Sequence, residues 1–245
     1  MMMKKMTLFD HLEELRWTII RSFIAVVVCA IPSGFFWRRI FELFAVYPLS
    51  LADPVPLIIY TAPADGVMLS IRITLLSGFV LATPYIFWQV WRFVAPGLYK
   101  KERRVILSIV IASTICFLSG FAFCYYLLPM VMRFLTGFAV GLVEPFFRID
   151  EYLNFLIRMS VAFGLSFQLP VVSFVLTKMG VIDHKIMLRY FRYIIVGIFI
   201  LATLLTPPDV LSQILLALPL LILYVLSIFI AFIVKKKKDK LLIGS

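Results

Sequence analysis

Charge is what this sequence has least of: Asp, Glu, Lys and Arg make up 15% of its 245 residues, against 63% hydrophobic. So little charge beside long apolar runs excludes an ordinary soluble domain and indicates a multispanning membrane protein. Acids are scarcer than bases, 13 against 24, which leaves a net charge of +11. The excess does not describe a nucleic-acid groove, because the cations cluster in short segments and tails beside apolar runs, a membrane-topology pattern. Cysteine is rare as well. Cys29, Cys116 and Cys124 all fall inside apolar runs, and the last two, two helical turns or ~12 Å apart, cannot bridge. No metal-ligand spacing is present. His11 and His184 sit in separate polar segments without a nucleophile–base arrangement, so the chain is read as no enzyme, with no cofactor. No internal repeat is evident. No small-residue cleavage site follows the first apolar run, so it is expected to remain as a helix. The phenylalanines are scattered without the period of two of an outer-membrane barrel.

What remains is all-α. A chain of this length holds about six spans of ~20 residues and little else, so a single membrane domain (1–245) is expected. Spans are predicted at 17–37, 67–90, 105–130, 152–177, 193–206 and 210–234, with 1–16 an amphipathic segment and 235–245 a basic tail. Orientation follows from Lys and Arg in the flanks. Lys4, Lys5 and Arg16, then Arg92, Lys100, Lys101, Arg103 and Arg104, then Lys178, Lys185, Arg189 and Arg192, then Lys235 to Lys238 and Lys240 share one side. The other side has only Arg38, Arg39, Arg133 and Arg148. Both termini are therefore expected in the cytoplasm. The fifth span is short, ~21 Å of helix against a ~30 Å hydrocarbon core, because Pro207 and Pro208 stop it. Asp209 is suited to cap the next helix. Arg21, Arg72 and Arg158, each one to two turns inside a span, either snorkel to headgroups or line a polar cavity. A short amphipathic helix is predicted from Arg38 to Val46.

Two acids lack the neighbours that helical charges usually have. In "TLFDHLEELRW" (7–17), Thr7 and Asp10 fit a capping box, Leu8, Leu12, Leu15 and Ile19 form an apolar stripe, and Glu13 is placed to pair with Arg16. Glu14 has only Asp10, His11, Trp17 and Thr18 within three or four residues. In "WRFVAPGLYKKERR" (91–104) the corresponding neighbours of Glu102 are Leu98, Tyr99, Val105 and Ile106. A carboxylate left open in this way is suited to a cationic partner.

Four stretches carry a resemblance: "HLEELR" (11–16), "ATPYIFWQVWRFVAPGLYKKERR" (82–104), "FGLSFQLP" (163–170) and "LLTPPDVLSQILLALPL" (204–220). The chain resembles the TatC family, the multispanning receptor subunit of the twin-arginine protein translocase, over nearly its whole length. The resemblance implies six transmembrane helices in a concave bundle with the last two short, in the cytoplasmic (inner) membrane of a prokaryote. It also implies binding of twin-arginine signal peptides of folded precursors, export driven by the proton-motive force, oligomerisation in the lipid membrane, and TatA- and TatB-type single-span partners. The signal-peptide site would comprise Glu14, Leu15, Arg16, Phe93, Pro96, Leu98, Tyr99, Lys100 and Glu102. Pro48, Gln168, Asp209 and Gln213 match other transport-sensitive or partner-helix positions. Two departures stand out: Gln168 and Val225 occupy positions where the family commonly has glutamate. Gln168 can hydrogen-bond to a neighbouring helix or to a partner at ~0.6–2 kcal/mol, but it cannot titrate. The competing reading is a six-span secondary transporter, which would call for broken helices and polar groups converging at mid-membrane.

Overall fold

A computed structural model describes residues 8–52, 55–94, 106–137, 146–205 and 210–243. The chain is almost entirely helical. In order it forms α1 (Leu8–Phe35), α2 (Trp37–Phe41), a π-helical turn (Glu42–Val46), α3 (Tyr47–Ser50) and β1 (Leu57–Ile59). There follow α4 (Asp65–Val94), α5 (Ile106–Gly137), β2 (Phe146–Arg148), α6 (Ile149–Ser166) and α7 (Leu169–Met179). The last elements are α8 (His184–Arg189), α9 (Phe191–Leu205) and α10 (Val210–Ile243). Among the described residues five helical stretches are long and apolar enough to cross a membrane: His11–Phe35, Asp65–Val94, Ile106–Gly137, Ile149–Met179 and Gln213–Lys236. In hydrocarbon only a helix or closed barrel pairs every backbone group, so apolar runs of this length become helices. The sixth apolar helix, α9, has 15 residues, about 22 Å against a ~30 Å core. The protein is thus an all-α polytopic membrane protein.

Two compact units make up the chain, Met1–Trp37 with Ser70–Thr114, and Arg38–Leu69 with Ile115–Ser245. In the first, α1 and α4 run antiparallel. A Cβ on Gly78 would lie 2.8 Å from Ala30, and one on Gly34 3.5 Å from Thr74, so the backbones meet where side chains are smallest. Far along the same pair, the His11 ring stacks on Phe93 with centroids 4.3 Å apart and planes 14° from parallel. The two helices therefore run side by side over their length, with the pairing shifted by about one turn between the glycine crossing and the stack. Pro84 would leave the carbonyl four residues back, that of Val80, without a donor. The Thr83 hydroxyl donates to that oxygen at 2.7 Å, so α4 passes through its proline without an orphaned acceptor. The Trp91 indole N–H donates to Ser113 Oγ at 2.8 Å and ties α4 to α5 through a buried bond.

In the second unit α5 and α6 pack so closely that glycine is required on both. A Cβ on Gly164 would lie 2.5 Å from the Phe117 ring, and one on Gly120 2.7 Å from the Phe163 carbonyl. One turn further, Cys124 Sγ lies 3.6 Å from Ser160 Oγ, and the Ser160 hydroxyl donates back to Leu156 O at 2.7 Å. The π-helical turn is held by two tyrosines: Tyr152 Oη donates to Ala45 O at 2.7 Å and Tyr125 Oη to Leu43 O at 3.1 Å. Phe44 from the same turn stacks on Phe121 at 4.6 Å. The strands β1 and β2 pair in parallel, Leu57 with Phe146 through Ile59 with Arg148. Just beyond β1, Asp65 Oδ2 accepts from Thr61 N and Ala62 N, both at 2.8 Å, and closes the turn into α4. α10 packs chiefly on α7.

Several details differ from the sequence-based expectations. The amphipathic segment and first span are one helix, α1, because nothing between Leu8 and Ile31 breaks it; Pro32 comes only near its end. The short helix predicted from Arg38 is present but passes through a π turn and ends at Ser50. The fourth span bends at Phe167–Gln168, since Pro170 cannot donate to the turn before it. α5 extends to Gly137 and carries Arg133, whose guanidinium donates to Leu51 O at 3.0 Å. Glu13 and Arg16, both exposed, form no ion pair among the described residues.

Candidate functional site

Glu14 lies on α1 one turn beyond His11, and the two share a helix face. The His11 ring reaches α4, where it stacks on Phe93. The stack brings the "HLEELR" segment against the end of α4, from which the chain enters the 95–105 stretch. Glu14 is half-buried, and its Oε2 is shielded from water without a hydrogen-bond partner. A shielded carboxylate oxygen lacking a donor is costly, and such an atom is either a defect or a place kept for a ligand. Leu15 and Arg16 are exposed beside it. Of the sequence-predicted signal-peptide residues, the structure brings together Glu14 and Phe93 with their α1 neighbours. Pro96, Leu98, Tyr99, Lys100 and Glu102 lie outside the described residues.

The same end of α4 contains a residue that the sequence reading missed. Gln89, one turn before Phe93, is only 3% exposed. Its Nε2 donates to Tyr85 Oη at 2.6 Å, while its Oε1 is buried without a partner. Its place in an otherwise apolar run, "YIFWQVW", was the available signal.

The partner-helix positions have other surroundings. Pro48 is buried in the first turn of α3. Gln168 is 8% exposed at the bend between α6 and α7. Gln213 donates to Phe199 O at 3.0 Å and to Thr203 Oγ1, bracing α10 against α9. Asp209 lies outside the described residues. Val225 is exposed on α10.

A second charged cluster joins the α7–α8 connection to α10. Lys235 Nζ donates to Asp183 Oδ2, and His184 Nδ1 lies 2.6 Å from Asp183 Oδ1 without hydrogen-bond geometry. The His184 ring meets Phe232 edge-on at 5.2 Å, and Tyr224 Oη donates to Met187 O at 2.9 Å. Burial disfavours the charged form of Asp183, but the Lys235 hydrogen bond and the neighbouring charges outweigh it. Its carboxyl is held below the usual range. No group of three metal-ligating side chains is present among the described residues.

Long apolar helices, with a shielded carboxylate oxygen one turn from an aromatic stack at one end, define a polytopic membrane protein. A profile of the family described as Sec-independent protein translocase protein (TatC) matches residues 10–219. The chain is 40% identical over 223 residues to the "Sec-independent protein translocase protein TatC" of Helicobacter pylori strain J99, covering 90% of this chain and 87% of the relative. It is 35% identical over 239 residues to the protein of the same name from Aquifex aeolicus, covering 96% and 99%. A crystal structure titled as the twin-arginine translocase receptor TatC superposes with a TM-score of 0.82 at 36% identity, covering 90% of this chain and 97% of that one. The chain belongs to the TatC family.

Proposed function

We propose that this chain is the receptor subunit of a twin-arginine translocase. It binds the paired-arginine motif of signal peptides on folded precursors and serves as the core on which export is assembled. The family membership supports that reading over a small-solute transporter. The observation that carries the residue-level part is the partnerless, shielded oxygen of Glu14 beside the His11–Phe93 stack.

Both termini and the recognition end lie in the cytoplasm, in keeping with the distribution of Lys and Arg, and the membrane is the inner membrane of a prokaryote. Glu14 and Glu102 select the ligand, with Leu15, Arg16, Phe93, Pro96, Leu98, Tyr99 and Lys100 around them. A guanidinium offers a planar fork of N–H donors that matches a carboxylate in two-point contact; lysine offers only a point charge. Hydrogen bonds to charged groups contribute ~1.5–3 kcal/mol each, so two acids supply ~3–6. A micromolar complex needs about 8. The acids choose the ligand, and burial of the signal's apolar segment supplies the rest. TatA- and TatB-type subunits, with Pro48, Gln168, Asp209 and Gln213 as the sensitive positions, complete the machine, and the proton-motive force drives it. Since Gln168 and Val225 cannot ionise, no step in this chain depends on a carboxylate at either position.

Photocross-linking from position 102 to an exported precursor tests the site. The cross-link is expected with a paired-arginine signal and weakened when both arginines become lysine. A cross-link unchanged in the Glu14→Gln, Glu102→Gln double variant would rule out the recognition model.

A further inference from the structure

Gln89, like Thr177 on α7, is a sealed polar side chain with an open valence that the recognition model does not use, and of the two it is the one that flanks the His11–Phe93 stack. Its amide is oriented by the 2.6 Å bond from Nε2 to Tyr85 Oη, which leaves Oε1 buried and without a donor. In an apolar interior such an oxygen is a standing cost, relieved only when a donor reaches it.

Register places this oxygen. α1 and α4 are antiparallel, with Gly34 meeting Thr74, Ala30 meeting Gly78 and His11 stacked on Phe93. From the stack, Glu14 lies three residues along α1, about 4.5 Å of rise, and Gln89 four residues back along α4, about 6 Å. The two are therefore at nearly the same level. Glu14 is one turn from His11 on α1 and Gln89 one turn from Phe93 on α4, so each flanks the stack on its own helix. Each brings an acceptor oxygen without a donor: Glu14 Oε2 and Gln89 Oε1. A carboxylate oxygen beside an amide oxygen is an acceptor pair for two N–H groups of one guanidinium fork, and a lysine ammonium matches it less well.

We propose that Gln89 is a specificity-determining residue of the recognition site, accepting from the same signal-peptide arginine that Glu14 binds. The inference rests on the receptor reading above. The His11–Phe93 stack lies one turn nearer the helix ends, so the incoming guanidinium displaces it or slides against its rings, a contact that aromatic faces favour. Tyr85 acts as a positioning residue, holding the amide so that its oxygen stays presented.

The experiment uses the full chain in lipid nanodiscs and a fluorescent signal peptide with an arginine or a lysine pair. Gln89→Met keeps the volume and removes the acceptor. Losing one hydrogen bond to a charged donor corresponds to roughly ten- to hundredfold weaker binding of the arginine peptide. The lysine peptide is expected to change less, so the arginine-to-lysine ratio falls. Gln89→Glu is expected to restore or exceed the wild-type ratio. Tyr85→Phe is expected to lower the ratio by a smaller factor. An unchanged ratio in Gln89→Met overturns the proposal. So does a Gln89→Glu chain as impaired as Gln89→Met, the outcome for an amide that instead donates to Glu14. Glu14→Gln measured alongside separates the two levels: if it leaves the ratio intact the receptor site itself is wrong, and if it alone lowers the ratio only the role of Gln89 fails.

Discussion

Glu14 and Asp183 are both short of solvent and both stand at helix ends, yet their surroundings are opposite. Asp183 meets Lys235 and His184, and its pKa is pulled down by them despite the cost of burial. Glu14 meets no cation among the described residues and has a shielded oxygen to spare. Asp65 resembles Asp183, with three donors from Thr61 and Ala62 closing a turn. Acids that hold the fold together are supplied with partners by the fold. An acid left open, with an open amide at the same level, is a cost that folding alone gives no reason to keep. The contrast is between acids that meet a cation or a backbone donor and one that meets neither among the described residues.

The largest effect that would sharpen this contrast lies in the scaffold. Gly164→Leu puts a branched side chain where even a Cβ lies 2.5 Å from Phe117. Overpacking costs ~1–3 kcal/mol or more, and the variant is expected to lose most of its folded yield in detergent, measured by size-exclusion chromatography. Next comes Glu14→Gln. It is expected to weaken arginine-peptide binding about tenfold or more at unchanged thermal stability, since it removes a charge that binds nothing in the fold. A drop in melting temperature without a binding defect would erase the contrast. Asp65→Ala reverses the pattern, losing about 1–2 kcal/mol of stability through the turn into α4 with peptide affinity retained. Asp183→Asn is expected to cost about 1 kcal/mol, because the Lys235 side chain is 36% exposed and the pair is partly screened. Its pH dependence has a definite sign. A carboxyl whose folded pKa is depressed contributes stability above its unfolded value, about 3.9, and loses it as pH falls through the lower folded value. The stability gap between wild type and Asp183→Asn is thus expected to close below about pH 4, read from melting curves in buffers of matched ionic strength. The smallest effect belongs to Arg148→Gln, whose exposed pair with Glu151 is expected to contribute under about 0.5 kcal/mol.

Most of the helical content was legible because apolar runs and their proline stops are one-dimensional signals. The short fifth helix, expected at 193–206, lies at Phe191–Leu205 for that reason. The paired strands were not legible: three residues each and far apart in the chain, they gain their order from pairing and not from local pattern. Nor was the π turn, which depends on Tyr125 and Tyr152 reaching its carbonyls from elsewhere in the chain. At the candidate site, the lack of helical counter-ions around Glu14 was legible, and the structure gives it no cation among the described residues. Gln89 was not, since a lone amide in an apolar run reads equally well as a helix-packing bond. Only the meeting of α1 and α4 at the His11–Phe93 stack brings it to the level of Glu14.

The unbroken first helix gives ligand capture a mechanical meaning. From Leu8 to Phe35 it is a rod of 28 residues, about 42 Å, with its proline only near the far end. The tight crossing of Ala30 on Gly78 is a fulcrum near that end, so a tilt of roughly 5° about it sweeps the gripping tip through ~2–3 Å. Spin labels at positions 12 and 28, both on this helix, would keep their separation if it swings as one piece, whereas a bend would shorten it.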